Sequence, residues 1–160
     1  MAQAPLNLLL EENLKSAVHS WWPTGVAAPQ IYGTAGGQLP EFPALRFQLG
    51  GTEEFPERTR NFFCEVNVNL SSSLDHEGSG GYSYSEMIDN HMSVAGHLED
   101  WLANYLDTTD LEETIDGYNN SLDAHEIIVT SWTSDIDPSD GLLAHNWTLR
   151  IFAFHGLATT

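Results

Sequence analysis

A strict two-residue alternation over residues 62–71 constrains the fold more than any other feature of the sequence. Five apolar residues share one parity: Phe62, Cys64, Val66, Val68 and Leu70. The positions between them are mostly polar. Because successive side chains of a β-strand point to opposite faces of its sheet, the segment predicts a strand with one buried face, and it places Cys64 toward the core. Such a strand needs a sheet around it and a second layer over its apolar face.

Two other segments carry the three- and four-residue spacing of amphipathic helices. Residues 6–21 repeat apolar side chains at this interval, and Pro23 predicts that the helix ends just before it. A longer helix is predicted to begin at a capping box formed by Ser83 and Glu86. Its apolar spacing continues to residue 106, which corresponds to about six turns.

Three further segments complete a predicted sheet. Residues 45–49 alternate and are expected to end at the glycine pair that follows. Residues 126–134 and 145–154 also alternate, and residues 135–141 between them have the composition of a hairpin turn. The predicted order is α-β-β-α-β-β. It indicates an α+β fold in which an antiparallel sheet is packed by the N-terminal helix and one long central helix.

The length of the chain predicts a single domain over residues 1–160. Residues 24–43 are rich in Gly, Pro and Ala and predict an extended connection, with a short strand near Gln30 to Tyr32. A weakly patterned segment of this length is often a binding arm. Residues 107–124 are acidic and turn-rich, so they predict a loop with one helical turn.

The acidic excess disfavours several classes of partner. The chain has 23 Asp and Glu against five Lys and Arg, a formal net charge of −18. Its cations never form a run, whereas binding DNA or RNA needs several cations on one face. An anionic membrane surface is disfavoured for the same reason, and no apolar run is long enough to predict a membrane span. A single cysteine and the lack of a signal-peptide pattern favour a reducing compartment.

The seven histidines form no recognisable catalytic or metal-binding motif. Residues 75–77 read Asp-His-Glu but lie among Ser and Gly, so we interpret them as a solvated turn. His91 and His97 are six apart on the predicted helix and face nearly opposite sides, and His91 is interpreted as a hydrogen-bonded core residue. Residues 135–141 resemble a calcium loop only superficially, because the carboxylate at its twelfth position is missing. The sequence therefore assigns no catalytic, cofactor-binding or metal-binding residue.

Aromatic residues are numerous for one small core: five Trp, seven Phe and five Tyr. Core packing is the interpretation for most of them, but aromatic side chains are also common anchors of protein interfaces. Phe62 and Phe63 illustrate the problem, since neighbours on a strand face opposite sides. One of the two should meet another element or another subunit.

The order and size of the elements resemble a family of virion proteins. A strand segment reading Arg-x-Arg-x-Phe-Phe-x-x-Val-x-Val runs from Arg58 to Val68. It follows a short N-terminal helix and a Gly/Pro-rich connection, and it precedes a long amphipathic helix and a terminal β-hairpin. This arrangement is similar to the tail terminator and related tail-completion or minor tail proteins of long-tailed bacteriophages.

The resemblance implies a structural role without catalysis or cofactors. In that family the subunits form a ring, commonly a hexamer, which caps the tail tube, halts its polymerisation and supplies the surface that joins the head. The implied partners are copies of the chain itself, the tail tube protein and head-completion or neck proteins. The implied location is the virion tail, assembled in the host cytoplasm, and DNA would pass through without specific binding because an acidic lumen repels phosphates.

Two groups of residues are candidate contacts in such a ring: Arg58, Arg60 and Phe63 near the first hairpin, and Asp135, Asp137 and Asp140 in the second. Other functions stay open. A head-tail connector or neck protein would bind the portal side instead of the tube end. A small hydrolase would need a concave pocket with a perturbed titratable residue, and a carbohydrate- or small-ligand-binding module would show a row of exposed rings on one sheet face.

Overall fold

The chain has a mixed α+β fold, and a computed structural model describes residues 6–33, 43–54, 61–73, 84–114, 121–137 and 141–155. Helix α1 spans Leu6–Trp21 and helix α2 spans Tyr84–Asp100. The six strands, β1 to β6, are Gln30–Tyr32, Ala44–Glu54, Asn61–Ser73, Glu113–Thr114, Ser121–Asp137 and Leu142–His155. The N-terminal helix therefore has the bounds that its apolar spacing predicts.

The strands form one sheet in the order β1-β2-β3-β6-β5-β4. Its four long strands are antiparallel neighbours, as their alternation predicts. The short strand predicted near Gln30 to Tyr32 is present as β1, but the expectation of a wholly antiparallel sheet is wrong at this edge, and β4 at the other edge was not predicted. Strand β1 runs parallel to β2, with Gln30 opposite Ala44, and the two-residue β4 pairs with the start of β5. Strands of two or three residues carry too few side chains for an alternation to be recognised.

Both helices pack on the same face of the sheet, where they bury the apolar stripe that the sequence predicts. The buried helical side chains are Leu9, Leu10, Leu14 and Val18 from α1 and Val94, Ala95 and Leu98 from α2. They meet the strand residues that share the parity of Cys64 in β3 and of Leu149 in β6. In the described part of the chain the opposite face carries no helix.

The glycine pair in β2 does not end the strand. The ladder with β3 shifts register between Leu49 and Thr52 and then continues to Glu54, which lies opposite Phe62. Gly50 and Gly51 occupy the irregular stretch, and glycine is common at such β-bulges. The predicted strand 45–49 is therefore too short.

Helix α2 leads directly into a π-helical turn, so the helical backbone continues to Tyr105, one residue short of the predicted apolar stripe, but its last turn is not α-helical. A π-helical turn spans Trp101–Tyr105, and both Trp101 and Leu102 are buried there. A 3₁₀ turn follows at Thr108–Leu111, where the prediction placed one helical turn, and Asp107 caps it. The predicted capping residue Ser83 lies outside the described residues. No described helix is long and apolar enough to cross a bilayer.

Candidate functional site

Phe63, a predicted contact residue, lies in β3 on the face of the sheet that the helices leave open. Its ring centre is 5.1 Å from that of Phe152 in β6, and the guanidinium carbon of Arg150 lies 4.0 Å from the centre of the Phe63 ring. Phe62 packs against the core. The neighbouring phenylalanines thus face opposite sides, and Phe63 meets another strand of the same chain.

The other residues of the two predicted contact groups are only partly described. Arg58, Arg60 and Asp140 lie outside the described residues. Asp135 and Asp137 belong to β5, opposite Ala144 and Leu142. Residues 135–137 therefore extend the strand, and the prediction of a turn beginning at residue 135 is wrong. Aspartate has a low propensity for β-strands, and for this reason the sequence wrongly indicated a turn at Asp135.

Phe63 and Asp135, which are described members of the two groups, lie far apart along the sheet. In β6, Phe152 contacts Phe63, whereas Ala144 lies opposite Asp135. These two β6 positions are eight residues apart, which is roughly 26 Å along a strand that rises about 3.3 Å per residue. Phe63 and Asp135 therefore do not contact a common point within one subunit.

The outer edge of β5 is a surface that the sequence reasoning missed. Strand β4 pairs only with Ser121 and Leu122, and from Glu126 onward no described strand pairs with this edge. Ile128, Val129 and Trp132 lie on this stretch and are 42 %, 43 % and 68 % exposed. They are three of the five large hydrophobic side chains that are exposed in the described part of the chain. Clustered exposure of this kind is typical of an interaction surface.

This edge has neither charged side chains nor proline to block pairing, although a register shift interrupts its ladder with β6 between Val129 and Ser131. Edge strands are normally blocked by charged side chains, proline or bulges. Residues 127–134 read Ile-Ile-Val-Thr-Ser-Trp-Thr-Ser and contain no charge and no proline, although the whole chain has a net charge of −18. Glu126 and Asp135 bound the uncharged stretch on either side. We call residues 127–134 the β5 edge segment.

The exposure of the β5 edge segment follows from where the helices lie. Val129 and Trp132 are opposite Leu149 and Trp147, two buried residues of β6, so they project toward the helix-bearing face. Helix α1 packs on β2, and α2 packs on β3 and β6. This half of β5 extends past the helical layer. A register shift between Val129 and Ser131 interrupts the alternation of the strand. Residue spacing in the sequence therefore does not show which of these side chains share a face.

A buried hydroxyl and two imidazoles form a hydrogen-bonded chain beneath α2. Ser72 Oγ in β3 lies 2.8 Å from His91 Nδ1 in α2, and His91 Nε2 lies 2.9 Å from His145 Nδ1 in β6. The His145 ring stacks on Trp147 with 5.7 Å between ring centres. His91 is thus the hydrogen-bonded core residue that its position on the apolar stripe predicts.

Burial keeps this pair of imidazoles neutral. Burial, together with the smaller effect of the nearby His145, lowers the pKa of His91 to about 4. Burial also lowers the pKa of His145, while the carboxylate of Glu99 opposes that shift. When both rings are neutral, one of the two nitrogens, His91 Nε2 or His145 Nδ1, carries a hydrogen and donates it to the other in a hydrogen bond. Ser72 then donates to His91, or accepts from it, according to the tautomer.

The order of hydroxyl and imidazole resembles a nucleophile with its base, but the site is closed. Ser72 is 6 % exposed and His91 is fully buried, so a substrate cannot reach the Ser72 hydroxyl. We therefore assign the Ser72–His91–His145 chain to the stability of the fold. It joins β3, α2 and β6 at one place in the core.

The open sheet face is lined by amides and hydroxyls that bond to one another. Asn69 Nδ2 donates to Asn146 Oδ1 at 2.7 Å, and Thr148 Oγ1 donates to Asn67 Oδ1 at 3.2 Å. These cross-strand pairs support the long β3–β6 ladder. The rings of Phe63 and Phe152 on this face stack on each other.

A cleft of about 450 Å³ lies between α1 and the π-helical turn. Its walls include Asn13, Ser16 and Trp21 from the helix, Tyr105 from the turn and Asp110 beyond it. Among the described residues that line the cleft there is one carboxylate, and there is no imidazole or thiol. In the segments that the structure describes, no three His, Cys, Asp or Glu side chains come together as a metal site.

No protein-family model matches the chain, and no curated protein is significantly similar to it in sequence.

Proposed function

We propose that the chain is a structural virion protein, a tail terminator or tail-completion protein of a long-tailed bacteriophage. Six subunits form a ring that caps the tail tube, stops its polymerisation and provides the head-joining surface. The observation that supports this proposal best is the β5 edge segment, which offers exposed apolar side chains and open backbone groups without any charge. Such a surface suits association between proteins and serves no reaction.

A cap between tube and head imposes a condition on the contact between subunits. One face of the ring meets the tube protein and the other meets head-completion or neck proteins, so the two faces must differ. A cyclic ring of this kind needs a head-to-tail contact, in which two different surfaces of each subunit meet. The β5 edge segment supplies one of these surfaces.

The acidic charge suits a ring through which a genome passes. Carboxylates near the lumen repel the phosphates of DNA, so the DNA moves through without binding. The net charge of −18 also makes free subunits repel one another at low salt. Assembly is therefore expected to be stronger when salt screens the repulsion.

The mass of the purified protein in solution tests the proposal. Light scattering and native mass spectrometry across protein concentration, at about 0.05 M and 0.5 M salt, should show a closed oligomer that the higher salt favours. Electron microscopy should then show rings with a central opening. A chain that remains monomeric under every condition would overturn the proposal.

Binding to phage components tests the position of the ring in the virion. Purified tail tubes of a long-tailed phage, mixed with the ring, should bind it at one end and stop growing. Attachment to the portal side of heads instead would identify a neck protein.

A further inference from the structure

We infer that the cleft between α1 and the π-helical turn binds an aliphatic amine in its ammonium form. The cleft is formed within one chain, so this inference goes beyond the proposed ring and does not depend on it. Its volume of about 450 Å³ is within the range of small-molecule sites. The π-helical turn forms one wall of the cleft, and π-helical turns occur frequently at functional sites.

Two contacts hold the walls of the cleft in place without a ligand. At the end of α1, the ring centre of Trp21 lies 5.2 Å from that of Tyr105 in the π-helical turn. Earlier in the helix, Asn13 Nδ2 donates a hydrogen bond to the Leu111 carbonyl at 3.1 Å. Asn13 and Trp21 both line the cleft, and the eight residues between these positions correspond to about 12 Å along the helix axis. The cleft is therefore an elongated slot.

Short side chains and aromatic rings make the slot suitable for an alkyl chain. Ser16, Ala17 and Ser20 lie on one face of α1 because their spacing is three and four, and they are too short to fill the gap. Trp21 and Tyr105 supply the apolar surface, and Tyr105 is 55 % exposed. An alkyl chain in the slot would remove part of this surface from water, which favours binding.

The polar side chains of the cleft suit a ligand that donates hydrogen bonds. Ser16 and Ser20 carry hydroxyls, and Asn13 donates through its amide nitrogen, so its Oδ1 can accept. Asp110 supplies a carboxylate, and its Oδ2 accepts the backbone N–H of Asp107 at 3.0 Å. This hydrogen bond holds the carboxylate in position beside the cleft. An ammonium group has three donors and no acceptor, and its hydrogen bond with a carboxylate is charge-assisted.

Charge at the cleft favours a cation over an anion. Asp110 is the one charged side chain among the described residues that line it. Lys15 of α1 is not part of that lining, and its ammonium nitrogen lies 4.0 Å from a carboxylate oxygen of Glu12. The net charge of −18 on the whole chain also attracts cations. An aliphatic amine is protonated at neutral pH, as the lysine side chain is, so it carries the charge that suits this site.

Saturation-transfer NMR with hexylamine as the probe tests the site, and hexanol is the uncharged analogue of the same chain length. At pH 7.5 and about 0.15 M salt, screening weakens the general attraction of cations to an acidic surface. Hexylamine should bind about tenfold more tightly than hexanol, because only the ammonium forms a charge-assisted hydrogen bond. Equal affinities, or no saturation transfer to hexylamine, would overturn the inference. The signal is read from the ligand, so a monomer and a ring give the same test.

Two charge variants test whether Asp110 recognises the amine. Asp110→Asn removes the charge but keeps an oxygen that can accept the Asp107 N–H, and it should weaken hexylamine binding by about fivefold or more. Glu112→Gln removes the same charge from an exposed residue outside the described lining, and it should change the affinity by less than about twofold. Equal weakening by the two variants would show that the amine responds only to the overall negative charge, and the inference would then be wrong.

Filling the slot tests the location. Ser16→Leu should abolish hexylamine binding, because the larger side chain occupies the space of the ligand. The variant should keep its unfolding temperature, since leucine is a good helix former at this exposed position. Ser93→Leu on the exposed side of α2 is the matched control and should bind as the wild type does. Undiminished binding to a folded Ser16→Leu variant would place the amine elsewhere and contradict the inference.

Discussion

Trp132 lies directly opposite Trp147 in the β5–β6 ladder, yet 68 % of Trp132 is exposed and only 3 % of Trp147. The two indoles project from the same face of the sheet. They differ because α2 covers β6, whereas this half of β5 extends beyond the helical layer. A tryptophan of this exposure buries little apolar area within the chain, and in the proposed ring a neighbouring subunit would cover it.

The pH dependence of stability should report the buried imidazoles. Burial lowers the pKa of His91 from the ordinary 6.5 to about 4, so at intermediate pH the unfolded chain binds a proton that the folded chain does not. The stability linked to the neutral His91 is fully present above about pH 6.5 and is lost as the pH falls toward 4. The free energy of unfolding should decrease by about 3 kcal/mol from this group. Urea unfolding at pH 7.5, 5.5 and 4.5 measures it.

Two histidine variants separate this effect from the titration of the many carboxylates. His91→Gln should flatten the fall between pH 6.5 and 4.5, whereas His19→Gln, at an exposed position of α1, should leave it unchanged. Equal slopes for the wild type and His91→Gln would show that His91 does not carry the pH dependence.

Removing the Ser72 hydroxyl should destabilise the fold. Ser72→Ala leaves His91 Nδ1 buried without its partner at 2.8 Å, which is expected to cost about 1–3 kcal/mol. Ser93→Ala on the exposed side of α2 should cost almost nothing and serves as the control. Chemical denaturation of both variants at pH 7.5 makes the comparison. Similar midpoints for the two would mean that the Ser72–His91 hydrogen bond adds no stability.

Two glycines should respond in opposite directions to alanine. Gly25 follows α1 with a φ of +87°, where an L residue is strained although the space around it is open. Gly25→Ala should therefore destabilise the fold by about 1 kcal/mol. Gly96 lies on the exposed surface of α2, also in open space, so Gly96→Ala should stabilise it by up to about 1 kcal/mol. Thermal unfolding measures both shifts, and two shifts of the same sign would contradict the prediction.

The sequence predicts the interior of this fold better than its edges. The alternation around Cys64 locates β3 because both of its neighbours are long strands and one face is buried by helices. The spacing of residues within a strand does not show which other strand it pairs with. The parallel pairing of β1 with β2 and the pairing of the two-residue β4 with β5 therefore could not be predicted from the sequence. His91 could be assigned to the core from its helical position, but its contacts with Ser72 and His145 depend on residues distant in sequence.

The β5 edge segment was missed for a different reason. Its apolar residues were interpreted as an ordinary strand, since the sequence does not show that the helices stop short of it. The register shift beside Thr130 also places Ile128 and Trp132 on opposite faces, although their spacing suggests a shared one. The absence of charge from residues 127–134 does not distinguish this segment in the sequence, because residues 66–74 and 141–149 also contain no Asp, Glu, Lys or Arg.

Cys64 should be chemically inert until the protein unfolds. Burial, together with the smaller effect of the neighbouring Glu65, raises the pKa of its thiol to about 11, so the reactive thiolate is scarce at pH 8. Iodoacetamide at pH 8 should leave the native chain unmodified and should alkylate it fully in 8 M urea, as measured by intact mass. Ser131→Cys provides the matched control, because an exposed thiol in β5 should react within minutes while Cys64 of the same molecule stays free. Alkylation of Cys64 at a comparable rate without urea would show that β3 and its helical cover open readily, and that the core beneath α2 is less stable than its burial implies.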